Sequence, residues 1–592
     1  MSGEPYPPSN SCTISWSLHC ICSTIIAEVR QTAMVAKDMV LSRAVIEGMI
    51  ADGNVIVIYE NLVLRVDAWL PRHPGGDKIV FHMVGRDATD EINAYHSEET
   101  RTLARKYQIG RVEGTWKNFI PPIQGGKFRK LKQIDEAVSL TDESLCGSSD
   151  DDDGVCSTGA CARAKSTTFR TKSASAEETC ENMEIADIIY SPKLEEIPVS
   201  ASLFAEYERK LVERDLEKYP SLDYDTQLSI TRKYRELENK LVREGYFQCT
   251  YWGYARECIR YLTLASLAYY FLSKQWYLTS AFFLGLLWHQ LAFTVHDAGH
   301  LAITHSFFWD NVIGVIVANY IGGLSLGWWK RNHNVHHVVT NDPVHDPDIQ
   351  HLPFFAVSTK FFGDLSSTYY DRLLKYDAVA KAMIQVQHWM YYPILCFGRF
   401  NLYRLSWEYL LLGQGPRKGQ AAWLRYFELV GMMVFWYWFG YKLVYQQLPS
   451  AGVRIGYVLI SHVVTMPLHV QITLSHFAMS TTDLGASESF AQKMLRTTMD
   501  VDCPAWFDFF HGGLQFQAVH HLFPRMPRHN FRAAQKHVIE FCNEVGVQYC
   551  IYGFVDGNKE VISRLGDIAK QASIFADCSN HMMQEAVATG KI

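Results

Sequence analysis

No CxxC pair occurs among the 14 cysteines of this 592-residue chain. Their scatter from Cys12 to Cys578 argues against a zinc ribbon or a secreted disulfide framework and reads as reduced intracellular thiols. An excess of positive charge is also missing. The formal net charge is -6, with no basic stripe, so nucleic acid is excluded as a partner. Mean hydropathy is only -0.08, too low for a chain embedded throughout, although 48% of residues are hydrophobic. Polar segments must therefore sit beside a membrane core. The apolar stretch from Cys12 to Ala27 has no basic region ahead of it, so a secretory leader is not expected. Residues 1–40 read as an extension of unknown role, or as a misassigned start.

Histidine in three clusters is what the chain does have: His296-Asp297-Ala298-Gly299-His300, His333-Asn334-Val335-His336-His337 and Gln517-Ala518-Val519-His520-His521. Imidazole binds iron at neutral pH, and a helix puts i, i+3 and i+4 side chains on one face. The spacings HxxxH, HxxHH and QxxHH let each cluster offer several nitrogens to one place. A fourth feature, His73-Pro74-Gly75-Gly76, lies far upstream. Together these read as a membrane redox enzyme carrying its own electron donor.

Residues 41–114 have the pattern of a small soluble α+β domain, with strands expected over Val55–Tyr59 and Leu62–Val66. Residues 115–200 read as a flexible linker, acidic and Ser-rich around Ser148–Gly154 and too polar to support a core. The charged stretch Ala201–Val242 has helical spacing and opens a domain expected to run over 201–560, followed by a tail, 561–592. Its apolar runs pair into two hairpins: Tyr261–Leu272 with Trp276–Val295, and Tyr426–Leu448 with Ile455–Leu474. The clear spans have about 20 residues, enough to cross a hydrocarbon core. Phe307–Leu326 is long enough to cross, but Asp310, Asn311 and Asn319 interrupt it. A full crossing would put the first two histidine clusters on opposite faces. The segment is therefore expected to be re-entrant or interfacial, which leaves four transmembrane helices and all clusters on the side of both termini.

The stretch HPGGDKIVFHMVGRDATDEINAYHSEETRTLARKYQIGRVEG resembles cytochrome b5. The resemblance implies haem b with His73 and His96 as axial ligands. Two imidazoles fill both axial positions, so such a haem passes single electrons and does little else. His82 is nearer to His73 in sequence but does not fall at the position where the family has its ligand.

HDAGHLAITH, RNHNVHHVVTNDPVHDPDIQHLPFF and GGLQFQAVHHLFPRMPRHN resemble the membrane fatty-acyl desaturases, in particular the front-end branch fused to cytochrome b5. The resemblance implies a cytosolic di-iron cap whose ligands are His296, His300, His333, His336, His337, His520 and His521, with His476 of TLSHF on the last span and Gln517 as a weaker ligand. It further implies O2 and NADH-derived electrons as cosubstrates, an NADH-cytochrome b5 reductase as partner, and a multi-pass place in the endoplasmic reticulum membrane. The motif departs from the branch at Val519, where glutamate is usual. His305, His345, His351, His388 and His462 read as ordinary interfacial groups, and His289 and His469 as polar support within spans. The overall run, including HVQITLSHFAMST, is most similar to fungal delta-8 sphingolipid desaturases, whose substrate is the long-chain base of ceramide. A delta-5 or delta-6 acyl desaturase, a lipid hydroxylase on the same scaffold and a noncatalytic haem-binding adaptor are the alternatives. Spacing alone leaves regiochemistry and oligomeric state open.

Overall fold

The computed structural model describes residues 37–130 and 199–589, the side chains of 199–204 excepted. Most of the N-terminal extension and the acidic linker, 131–198, lie outside the described residues. The first domain is built on an antiparallel sheet in the order β1 (Ile56–Tyr59), β2 (Leu62–Arg65), β3 (Gln108–Arg111). Both expected strands are present, paired Val57 to Leu64 across a tight Glu60-Asn61 turn in which both residues have positive φ. Ile46, Ile56, Ile58 and Val63 bury one side as an apolar core. Helix α1 (Thr89–Tyr95) follows, with Asp90 and Glu91 in its first turn, where carboxylates suit the helix dipole.

Two domain boundaries drawn from sequence move. Residues 116–130, at the start of the expected linker, pack back on the first domain. Trp116 Nε1 donates to Gly85 O at 2.9 Å, and Arg129 pairs with Glu47 at 3.0 Å. Polarity there reflects a wrapped strap, not a free chain. The tail expected over 561–592 is instead part of the fold, since helix Phe554–Ala588 carries Val561, Leu565, Ile568 and Ala572 into a large apolar core. Their spacing at i, i+4, i+7 and i+11 is a core stripe masked by its polar neighbours.

In the second domain α2 (Tyr224–Arg243) lies against the body of the molecule, burying Ile230, Tyr234, Leu237 and Leu241 on one face. Helices α3 (Trp252–Ser273) and α4 (Tyr277–Gly299) form the first hairpin, turning at Gln275 with φ 62. The second joins Leu424–Phe435 (α7), extended by a π-helical stretch over Trp436–Gln447, to α8 (Ala451–Phe477). Of the described helices, Tyr277–Gly299 and Ala451–Phe477 are long and apolar enough by themselves to cross a membrane, with a third span if the bent pair described next is counted as one. The other two arms of the hairpins fall short for visible reasons. Arg256, Glu257 and Arg260 sit near the start of α3, and Trp and Tyr replace aliphatic residues over 436–445.

The interrupted stretch is two helices, α5 (Phe307–Ile321) and α6 (Leu326–Val338), bent by 116°. The break contains Gly323 with φ +70, where a Cβ would lie 2.3 Å from Phe435 Cε1, so only glycine fits. Asp310 accepts from Thr304 N at 2.9 Å, and Asn319 Nδ2 donates to Glu428 at 3.2 Å. The polar residues that interrupt the apolar run are therefore used inside the fold. The bend returns the chain so that α6 meets the end of α4.

Candidate metal centre

The first site is an apolar cleft in the haem-type domain, lined by Leu64, Met83, Ile92 and Tyr95 between His73 and His96. His73 caps the turn Leu70–Arg72, and His96 caps α1. Each ring is oriented by its own local backbone: His73 Nδ1 lies 2.6 Å from Gly76 O, and His96 Nδ1 3.0 Å from Ile92 O. Nδ1–H donation to these carbonyls leaves Nε2 of each ring as the ligand nitrogen. The ring centroids stand 6.1 Å apart. Two imidazoles on one axially bound metal, at roughly 2 Å each, would put them about 6 Å apart. Burial pushes the His96 pKa down to about 4, keeping the neutral, ligating form. The pair thus fits haem. His82 does not line the cleft. It is fully buried, 3.0 Å from Gln124 Nε2, with its ring against His345.

The second site gathers histidines from four helices: His296 and His300 at the end of α4, His333, His336 and His337 on α6, His476 at the end of α8, and His520 and His521 on the short α9 (Gln517–Leu522). Nitrogens of His296, His300, His333 and His520 lie within 4.8 Å of one another, as do those of His336, His476 and His521. His337 sits between the two groups. Its Nε2 is 3.0 Å from Nε2 of both His333 and His520, and its ring stacks on His521 at 4.0 Å. Nε2 of His296, His300 and His521 is buried with no hydrogen-bond partner. Orphaned buried nitrogens facing one another are costly unless they share a cation. Burial holds His520 and His521 far below the usual imidazole range, so both are neutral donors. The donor set fits two closely spaced metal ions of the kind imidazole favours.

Carboxylates hold several of the clustered histidines in place, and no local sequence pattern by itself marks them out. Asp346, fully buried, lies 2.9 Å from His336 Nδ1, and Asp348 lies 3.6 Å from His333 Nδ1. Burial opposes charge on His336, but Asp346 and Asp348 more than offset it, so its pKa is raised. Arg528 bridges Asp297 and Glu257, and Tyr254 donates to Asp297, clamping the last turn of α4 between its two histidines. Removing one partner of such a buried pair costs about 3–5 kcal/mol. Glu428 of α7 accepts from Ser325 Oγ at 2.5 Å and Gly327 N at 3.1 Å, capping the helix that bears HxxHH. The available signals were carboxylates within the quoted motifs (VHDPD, HDAGH) and one acid in an apolar helix.

Gln517 is buried at the first position of α9, three and four residues before the histidine pair. Val519 packs with Leu522, Phe523, Met526 and Tyr234 in an apolar core. His305, His345 and His462 have partners of their own in Phe247 O, Thr368 and Tyr403, in keeping with a structural role.

A bis-histidine cleft docked on an imidazole cluster at the ends of apolar helices defines a membrane-associated oxidoreductase. Residues 274–553 match the family model "Fatty acid desaturase", and residues 45–113 match "Cytochrome b5-like Heme/Steroid binding domain". The chain is 54% identical over 551 residues to a Delta 8-(E)-sphingolipid desaturase of Emericella nidulans, covering 93% of this chain and 98% of that protein. A Delta 8-(E)-sphingolipid desaturase of Kluyveromyces lactis is 52% identical over 93% of this chain and 96% of its own length. A Delta(8)-fatty-acid desaturase of Helianthus annuus is 37% identical over 59% of this chain. The chain belongs to the fatty acid desaturase family, in the form fused to a cytochrome b5 domain.

Proposed function

We propose that the protein introduces the delta-8 double bond into the sphingoid base of ceramide, using O2 and electrons that enter through its haem domain. The observation that carries this reading is the eight-histidine cluster in a chain that matches the sphingolipid desaturases over nearly their whole length. His73 and His96 would hold haem b. His296, His300, His333 and His520 would hold one iron, and His336, His476 and His521 the other. His337, which lies between the two groups, would be a further ligand, and Gln517 a weaker one. Bound iron supplies the oxidising power that acid–base groups lack against unactivated C–H bonds, removing two hydrogens while O2 goes to water. Asp346, Asp348 and the Asp297–Arg528 clamp fix these imidazoles in direction.

The reading includes four membrane helices in two hairpins, with α5 re-entrant, in the endoplasmic reticulum. Both termini and the histidine cap are cytosolic, where an NADH-cytochrome b5 reductase can reach the haem domain. A sphingoid base anchors its head group at the interface, so a site at the ends of α4 and α8 measures a fixed distance along the chain. Expression in a yeast lacking sphingoid-base desaturation should yield ceramides with a new double bond at carbon 8, read by mass spectrometry after derivatisation. Unchanged sphingoid bases with delta-5 or delta-6 bonds in supplied acyl chains would replace this reading with the acyl one.

A further inference from the structure

We infer that the haem domain works from a docked position on α6, with the Tyr95 ring as the positioning group that carries the electron path from haem cleft to histidine cluster. This rests on the function proposed above. Tyr95 belongs to both sites at once. It lines the haem cleft and precedes the axial histidine His96 in the chain. Its ring also meets His337 edge-on, with centroids 6.0 Å apart at 83°. A route from His96 through one peptide unit to the Tyr95 ring therefore needs a single non-bonded step to reach the cluster. Val338, the residue after His337, lines the haem cleft from the other domain. The Tyr95 hydroxyl is buried and has no hydrogen-bond partner, so no polar contact accounts for its place.

The docking face is built for this approach. Val57, Met83 and Ala88 of the haem domain form one apolar cluster with Val335, Val338, Val339 and Tyr369. A Cβ on Gly75 would lie 3.1 Å from Asn334 Nδ2, so the HPGG turn packs directly on α6. Around this centre Arg235 pairs with Asp90 at 2.5 Å, Lys78 donates to Thr368 O at 2.9 Å, and Asn118 donates to Ala486 O at 3.2 Å. An apolar centre with a polar rim is the usual anatomy of a specific interface. The redox balance is simple. One electron leaves ferrous haem, which becomes ferric, and one ferric ion held by the histidines becomes ferrous. Two such transfers serve each double bond, and an external NADH-dependent reductase restores the haem.

The test uses full-length protein loaded with haem and iron, reduced with NADH and cytochrome b5 reductase, in ceramide-containing nanodiscs in air. Stopped-flow absorbance follows haem reoxidation once NADH is spent. Tyr95→Leu should slow reoxidation about tenfold or more while the low-spin haem spectrum, haem midpoint potential and iron content stay as in the wild type. Tyr95→Phe should keep the wild-type rate, because the ring and not the hydroxyl makes the contact. A wild-type rate in Tyr95→Leu, or equal slowing in Tyr95→Phe, overturns the path. Should Tyr95→Leu lose haem, Arg235→Asp, which sets a carboxylate against Asp90, probes the docking without touching the cleft. It should slow reoxidation, and adding Asp90→Arg should restore it; a wild-type rate in Arg235→Asp overturns the docked arrangement. If the wild type itself shows no O2-dependent haem reoxidation, the proposed function fails, and not only the path.

Discussion

The cleft between His73 and His96 and the histidine cluster orient their imidazole rings in opposite ways. In the cleft each ligand ring is held by a carbonyl three or four residues away, Gly76 for His73 and Ile92 for His96. In the cluster the holding groups come from farther off or from other elements: Asp346 for His336 and, through Asp297, the distant Arg528 for the α4 pair. Local holding makes the orientation of the two rings a property of the small domain, although Val338 of the other domain also lines the cleft. Distributed holding makes the cluster depend on how α4, α6, α8 and α9 pack.

If this contrast is right, the two sites fail independently. The largest effect is expected from His336→Ala or His520→Ala, which should lower desaturation by more than about 100-fold and reduce non-haem iron while leaving the haem spectrum intact. Normal product from either variant would dissolve the two-metal reading. The mirror experiment, His96→Ala, should abolish the low-spin bis-histidine spectrum and NADH-driven turnover but leave non-haem iron at the wild-type level, as measured on the purified protein. Coupled loss of both metals would break the contrast.

Asp346→Asn sharpens it further. The amide keeps the shape but loses the charge facing His336 Nδ1, so iron affinity should fall by about 10–100-fold, read by titration with Fe(II). The Nδ1 atoms of His73 and His96 are held instead by backbone carbonyls, Gly76 O and Ile92 O, so the same substitution has no counterpart at those two contacts. The smallest effect on chemistry and a clear one on stability is expected from Val519→Glu. Although glutamate is usual at this place in front-end desaturases, here it would enter the apolar core beside Phe523 and Met526. A buried unpaired carboxylate should cost about 3 kcal/mol, seen as a lower Tm in detergent with no gain in activity. Raised activity at unchanged Tm would show that the position faces the site after all.

Legibility followed the same division. The β1–β2 hairpin and the HxxHH face of α6 lie within short stretches whose geometry the local backbone dictates, and they could be read from spacing, whereas the choice of His73 and His96 came from the resemblance to cytochrome b5. The bend between α5 and α6 was inferred only because an unbroken span would have separated the clusters. The strap 116–130 and the core stripe of helix Phe554–Ala588 escaped, since their apolar residues are diluted by polar ones that face solvent.

By itself the sequence determined the donor chemistry: which residues are imidazoles, how they repeat along a helix, and that a haem-type turn precedes them. Tertiary structure alone decided which histidines stand together, that His337 sits between the two groups, that Val519 turns away into apolar packing, and that Tyr95 bridges the domains. The physical reason is range. A helix sets the relation of residues three or four apart by its own hydrogen bonds, whereas His296 and His520 meet only because a 116° break and the burial of apolar faces bring distant helices to one point.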